Sequence, residues 1–232
     1  KETYQQPVFV LGVLPTRDEG DVMAANAAAA VAEIHPIVDG ILIFDNDIWR
    51  TEGRRLEQAF DHMNHELVRP FPLLLTAGEA APNQVGIKVV DASDIIATWK
   101  DLTVIGHWGI QVEALHHGAP FMQGLPFFKK RVEHVRSTLA CSTVVRNAAT
   151  KMSGEWSPAQ AGYALAVIAG RREHISMDGF SEARSWLQSY MPKAQIRAGD
   201  YPLRGARELE AVLLVGGIRT IPRLGITLEE KR

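Results

Sequence analysis

Phe60 and Asn64 stand four residues apart in the stretch AFDHMN, a spacing that puts both on one face of a helix, one turn from each other. An aromatic ring with an amide one turn on can stack on a base and hydrogen-bond its edge. An Asn amide carries both a donor and an acceptor, the pair that reading a guanine requires. The same spacing serves as well for a core aromatic beside a solvated amide. A second stretch, ILIFDND from Ile41 to Asp47, runs four apolar residues straight into Asp45, Asn46 and Asp47. Ligands of open α/β sheets sit just beyond the carboxyl ends of the strands, so this tail is either a pocket rim or a plain Asx-type turn. A third, VVDASDI, sets Asp91 and Asp94 three apart on one side of a nascent helix. Asp91 there suits an N-cap, and Asp94 occupies the place of a capping-box acid.

The elements that must position these residues follow from periodicity. PVFVLGVLP is a continuous apolar run of strand length, stopped by Pro15 and the polar TRDEG. DVMAANAAAAVAEIHPIV, with an Asp at its head and a run of alanines, reads as a helix with a close-packed face. GILIF is a second buried strand. Strand, helix, strand with short joins makes a βαβ unit and a parallel sheet, which brings the tails TRDEG and DND to the same sheet edge. TEGRRLEQAFDHMNHELV then shows Leu56, Ala59, Phe60, Met63 and Leu67 at helical spacing. Arg69-Pro70-Phe71-Pro72 must kink or end that helix, since neither proline donates a backbone hydrogen bond. LLLTAGEAAPNQVG reads as a break at Gly78, Pro82 and Gly86, a candidate domain boundary.

Beyond it, a short helix at VVDASDIIATW precedes a strand at LTVIGHW. Phe127 to Met152 reads as one or two helices, GYALAVIAG as a strand, SEARSWLQSYM as a helix, and AQIRAGD and ELEAVLLVGG as two more strands; HHGAPFMQGLP is loop-like. The chain thus divides into residues 1–50, a central helix and linker at 51–86, and an α+β part at 87–232.

Composition sets outer limits. The 232 residues, 46% hydrophobic and 22% charged, are those of an ordinary globular chain able to bury a core. A net charge of −2 supplies no basic excess to displace counterions from nucleic acid. The single cysteine, Cys141, excludes an internal disulfide framework and a thiolate zinc cage, and fits a reducing cytoplasm. No apolar run approaches the ~20 residues of a membrane helix. The start, KETYQQPVFVLGVLPTRDEG, has no initiator Met and reads as truncated or processed. His62 with His65, and His116 with His117, lack the converging carboxylate or thiolate company of a metal site. Cys141 reads as a small core residue. The five tryptophans read as scattered packing residues, and FFKKRVEHVR as a solvated basic helix face.

The ordered set LPTRDEG, FDND, AFDHMN and VVDASDI resembles the tubulin and FtsZ superfamily, and in detail the archaeal tubulin-like CetZ family. RAGDYP and VLLVGGIRTIPRL near the end are similar to CetZ as well, so the resemblance runs from Pro7 to about Leu224. It implies the second half of a Rossmann-type GTPase domain, a long central helix, and an α+β C-terminal domain with a mixed four-stranded sheet. It implies Glu19 on the ribose hydroxyls of GTP or GDP, Asn46 and Asn64 on the guanine edge, and Phe60 against the ring. Asp94, with Asp91 as partner, would polarise the water that attacks the nucleotide of a neighbouring subunit, with Mg²⁺ held through the phosphates. The asparagine that opens this motif in FtsZ is Val89 here.

The resemblance further implies head-to-tail protofilaments that weaken on GTP hydrolysis and serve cell shape. Neither glycine-rich phosphate loop of the family, one of which reads like GGGTGSG, has a match in this sequence. Nor has the G-x-x-x-x-G-K-[ST] loop. VGGIRT follows a late strand and is discounted. The expectation is therefore a longer natural polypeptide, with this chain alone binding GTP feebly or not at all. A different class, a non-catalytic filament-interaction or capping module, shares these features. A nucleotide-cofactor oxidoreductase is disfavoured, because no G-x-G-x-x-G follows any strand.

Overall fold

The computed structural model describes residues 6–50, 56–79, 86, 88–111 and 126–228, with side chains described at all of these but 56 and 126–136. Apolar runs become strands: β1 (Phe9–Leu14), β2 (Gly40–Asp45), β3 (Asp101–Gln111), β4 (Tyr163–Gly170), β5 (Gln195–Pro202) and β6 (Glu208–Ile218). They form one sheet in the order β1-β2-β3-β6-β4-β5, with β6 antiparallel to both neighbours and the other pairs parallel. The helices are α1 (Asp21–Ile34), α2 (Asn46–Trp49), α3 (Leu56–Val68), α4 (Pro70–Gly78), α5 (Ala92–Thr98), α6 (Pro126–Thr150) and α7 (Met177–Tyr190). A small ribbon, β7 (Thr220–Ile221) with β8 (Ile226–Thr227), closes the described chain.

Strands covered on both faces read as unbroken apolar runs, and β4 is buried at every position after Tyr163. On one face pack Val31 of α1, Val144, Val145 and Ala148 of α6, and Ala183 and Leu187 of α7. On the other pack Leu73, Leu74 and Ala77 of α4, Ile95 of α5, and Trp99. Gly106 of β3 lets α6 lie directly on the sheet, since a Cβ there would stand 2.2 Å from the Ala148 carbonyl oxygen.

The expected mixed four-stranded sheet is present as β3-β6-β4-β5. It is continuous with the βαβ unit, because β2 pairs in parallel with β3 over Gly40–Leu42 and Asp101–Thr103. Three local readings are refined. LLLTAG belongs to a second helix: α3 ends at Val68 as the prolines require, Arg69 keeps helical angles (φ −49°, ψ −42°), and α4 runs from Pro70 to the expected break at Gly78, while Pro82 lies outside the described residues. Pro70 and Pro72 fall in the first turn of α4, where helix N–H groups have no intrahelical acceptor. FDND is not a turn alone: Asp45 makes the Asx-type bond, accepting from the Asp47 N–H at 3.0 Å, and with it caps α2, which begins at Asn46. The tryptophans are not all scattered either. Trp186 stacks on Tyr190 at 4.7 Å, Trp156 meets that ring edge-on at 5.9 Å, and the Arg146 guanidinium lies 5.4 Å over Trp186.

Candidate functional site

Parallel pairing of β1 and β2 sets Leu14 opposite Asp45, so both polar tails leave the sheet at one edge. Residues Arg17–Glu19 form a single 3₁₀ turn. The exposed Glu19 carboxylate bends back over it, accepting from the Thr16 N–H at 2.7 Å and the Thr16 hydroxyl at 3.2 Å. Two cross-links tie this turn to the tail of β2. Asp47 accepts from the Arg17 N–H at 3.1 Å and pairs with the Arg17 guanidinium at 3.0 Å, while Asp18 pairs with Arg50.

Beneath both loops, Asp45 is 1% exposed and held by Arg223, a residue of the turn after β7. Arg223 donates to both carboxylate oxygens at 2.8 Å and to the Pro15 carbonyl at 2.9 Å, so one guanidinium fixes the ends of β1 and β2 together. Burial pushes the Asp45 carboxyl up, opposed chiefly by the hydrogen bonds from Arg223 and then by that from the Asp47 N–H. Sequence reading missed Arg223. The available signal was indirect, namely that a buried carboxylate requires a cation, and nothing in RTIPRL singles out which arginine.

Asn46 is half-buried at the first turn of α2, and α2 packs beside α3. On α3, Phe60 is 49% exposed and Asn64 is exposed, while Met63 between them is buried at 5%. Phe60 is therefore not core; the ring stands on the same accessible helix face as the Asn64 amide. Glu19 and Asn46 are thus brought to one sheet edge, with the helix that carries Phe60 and Asn64 alongside α2.

Asp91 and Asp94 lie elsewhere. Asp91 caps α5, its Oδ1 accepting from the Ser93 N–H at 2.8 Å, the Asp94 N–H at 3.1 Å and the Ser93 hydroxyl. The Ser93 hydroxyl, more than the backbone donors, holds the Asp91 carboxyl below the usual carboxylate range. Asp94 returns the capping box, accepting from the Asp91 N–H at 3.3 Å, and pairs with Arg197 of β5 at 3.2 Å. Ser93 and Arg197 were also missed from sequence. Three strands separate β2 from β5, on the order of 19 Å at ~4.8 Å per strand step. One chain therefore does not gather Asp94 with Asn46.

Among the described residues no group of three His, Cys, Asp or Glu side chains could hold a metal ion, His62 and His65 included; His116 and His117 lie outside them. Cys141 is fully buried, its thiol pushed up by desolvation and donating to the His174 carbonyl at 3.4 Å. No helix among the described residues is long and apolar enough to cross a membrane.

Comparison with known proteins adds the following. The family model described as "Tubulin-like CetZ, C-terminal domain" matches residues 53–231. The chain is 32% identical to tubulin-like protein CetZ1 of Haloferax volcanii over 97% of its length and 59% of that protein. It is 35% identical to CetZ3 of the same organism over 97% of its length and 58% of that protein. Among solved structures it is similar to GDP-bound monomeric CetZ1 of H. volcanii (TM-score 0.76, 30% identity, 96% of this chain and 59% of that one). It is similar also to CetZ2 of that organism as a GTPγS-bound protofilament (TM-score 0.77, 29% identity, 96% and 59%). The FtsZ dimer of M. jannaschii shares the fold (TM-score 0.68, 17% identity, 99% and 62%). The chain thus spans about 59% of the length of the H. volcanii proteins it matches.

Proposed function

We propose, on the premise that this chain belongs to the archaeal tubulin-like CetZ family, that it carries the base and ribose side of a GTP pocket and the loop that activates hydrolysis in a neighbour. The observation that carries this reading is the shared edge of β1 and β2. There Glu19 ends the 3₁₀ turn and Asn46 begins α2, two segments locked together by Arg17–Asp47 and Arg223–Asp45, beside a helix with an exposed aromatic and amide one turn apart. Asn46 and Asn64 offer the guanine edge paired donors and acceptors. Glu19, as an anionic acceptor, suits the two hydroxyls of a ribose, and Phe60 offers a ring for the base. This donor set fits a nucleoside and includes no glycine-rich cradle for phosphate. Bound GTP or GDP supplies the triphosphate or diphosphate itself, and Mg²⁺ would be carried on those phosphates.

Asp94 and its partner Asp91 are the carboxylates that would orient an attacking water. Phosphoryl transfer asks mainly for positioning and electrostatic control, which a carboxylate on a capped helix start provides. The strand separation between Asn46 and Asp94 supports a site completed between subunits. A head-to-tail, heterologous contact of that kind builds a filament when its rotation does not close. Polymerisation driven by GTP and reversed by hydrolysis, in the service of cell shape in the cytoplasm, is the activity this arrangement would perform.

The test uses the full-length gene product. Asn46→Ala and Asn64→Ala are expected to weaken GTP binding by about 1–3 kcal/mol each, the cost of leaving buried polar groups unpaired, with guanine-over-adenine preference reduced. Isothermal titration with GTP and ATP reads both. Full affinity and selectivity in both variants would overturn the pocket. A natural protein that assembles with filaments yet neither binds nor hydrolyses GTP would leave the capping-module reading in its place.

A further inference from the structure

We propose that Arg197 is a positioning residue for the Asp94 carboxylate, so that the C-terminal sheet sets the geometry of the hydrolytic loop. The proposal rests on the reading of Asp94 given above.

The loop before α5 is laid along β5, the last strand of the sheet. The Lys88 N–H donates to the Asp200 side chain at 2.7 Å, and the Asp200 N–H donates to the Lys88 carbonyl at 3.0 Å. Gly199 then lets Val90 lie on the strand itself, since a Cβ there would stand 2.3 Å from Val90 Cγ2 and 2.7 Å from the Lys88 carbonyl oxygen. Strand side chains alternate. Arg197 therefore shares a face with Gly199 and Tyr201, and Tyr201 joins the same core cluster as Val90. Ile196 and Ala198 serve the opposite cluster. Lys88 and Val90 seat the loop without Arg197, and among the described residues its guanidinium pairs with one carboxylate, that of Asp94.

Among the described residues that carboxylate has two holds. The Asp91 N–H reaches Oδ2 at a long 3.3 Å, and Arg197 Nε faces Oδ1 at 3.2 Å. The first comes from a helix end and is weak; the second is a full charge on a strand of the sheet. Nη1 of Arg197 is buried without a hydrogen-bond partner among the described residues, and Nε pairs with Asp94, the acidic group the guanidinium meets among them. A carboxylate that orients water contributes in proportion to how rigidly it is aimed, and a misplacement of 1 Å can cost ~10²-fold in rate. Removing Arg197 leaves Asp94 in the first turn of α5 but frees its carboxylate to rotate.

The experiment compares Arg197→Met, Arg197→Lys and Asp94→Asn in the full-length protein. It measures GTP affinity, polymer formation by light scattering, and phosphate release per assembled subunit. Arg197→Met is expected to bind GTP within about twofold of the natural protein and to assemble, but to lower kcat by about 10–100-fold, with Arg197→Lys restoring most of it. Should Arg197→Met fail to fold, Arg197→Gln removes the charge while keeping a donor at similar length, and meets the same kcat criterion. Natural kcat in a folded Met or Gln variant, with Asp94→Asn dead, overturns the role of Arg197 and leaves the function intact. Natural kcat in Asp94→Asn overturns the function itself. A variant whose GTP affinity and kcat fall together marks Arg197 as structural only, and also overturns the proposal.

Discussion

At the scale of single residues, the Asp45–Arg223 pair carries the sharpest consequence. The pair is almost wholly enclosed, with side chains 1% and 8% exposed, and cutting such a pair leaves an uncompensated buried charge. Arg223→Met is therefore expected to destabilise the fold by about 3–5 kcal/mol. The loss must depend on pH. Burial raises the Asp45 carboxyl above its usual 3.8, so in this window the folded state binds its proton more tightly than the unfolded state. Stability contributed by that proton is present below 3.8 and is lost as pH rises through the raised value. Arg223 opposes the rise, so its removal extends the loss to higher pH. Urea unfolding at neutral pH and near pH 4 checks this, with the difference between variant and natural chain shrinking on acidification. A constant difference across that range would show that Arg223 acts through the Pro15 carbonyl alone.

At the scale of elements, legibility followed locality. The βαβ unit, the strands of the mixed sheet and α7 were readable because burial on both faces of a strand or one face of a helix writes a periodic pattern. Phe60 and Asn64 were readable as a pair for the same reason. What escaped was set at long range. Asp45 meets its cation 178 residues away, and Asp94 meets Arg197 only because the loop lies on the last strand. Pro70 and Pro72 were read as breakers, yet a helix can restart on them at once, the first turn having N–H groups to spare. The capping box of α5 was legible from VVDASDI, and it carries its own prediction. Asp91 is held low by the Ser93 hydroxyl and the backbone donors, so the stability it lends to α5 is present above 3.8 and lost as pH falls through its folded value. Asp91→Ala should therefore speed hydrogen exchange at the Ser93 and Asp94 amides several-fold at neutral pH, with Asp91→Asn between the two. Unchanged exchange in Asp91→Ala would mean that the Ser93 hydroxyl and Asp94 hold the helix start unaided.

At the scale of the whole molecule, one sheet carries the two proposed half-sites, and they do not meet. The proposed nucleoside edge belongs to β1 and β2, the proposed activating loop to β5, and β3, β6 and β4 lie between. Among the described residues the sheet is continuous and covered by helices on both faces, a packing that holds a separation on the order of 19 Å open. If both halves act on one nucleotide, two subunits must supply them, and the requirement is testable by mixing. Asn46→Ala subunits keep Asp94 but lose the guanine contact; Asp94→Asn subunits keep the pocket but lose the acid. Each alone should hydrolyse GTP slowly. Co-assembled in equal amounts, head-to-tail pairing places an intact loop on an intact pocket at up to roughly a quarter of the interfaces, and hydrolysis should return toward that fraction of the natural rate. Only the order in which subunits follow one another along the filament produces this recovery. Copolymers verified by labelling that stay as inactive as either variant alone would confine both half-sites to a single chain, which this sheet order does not permit without refolding.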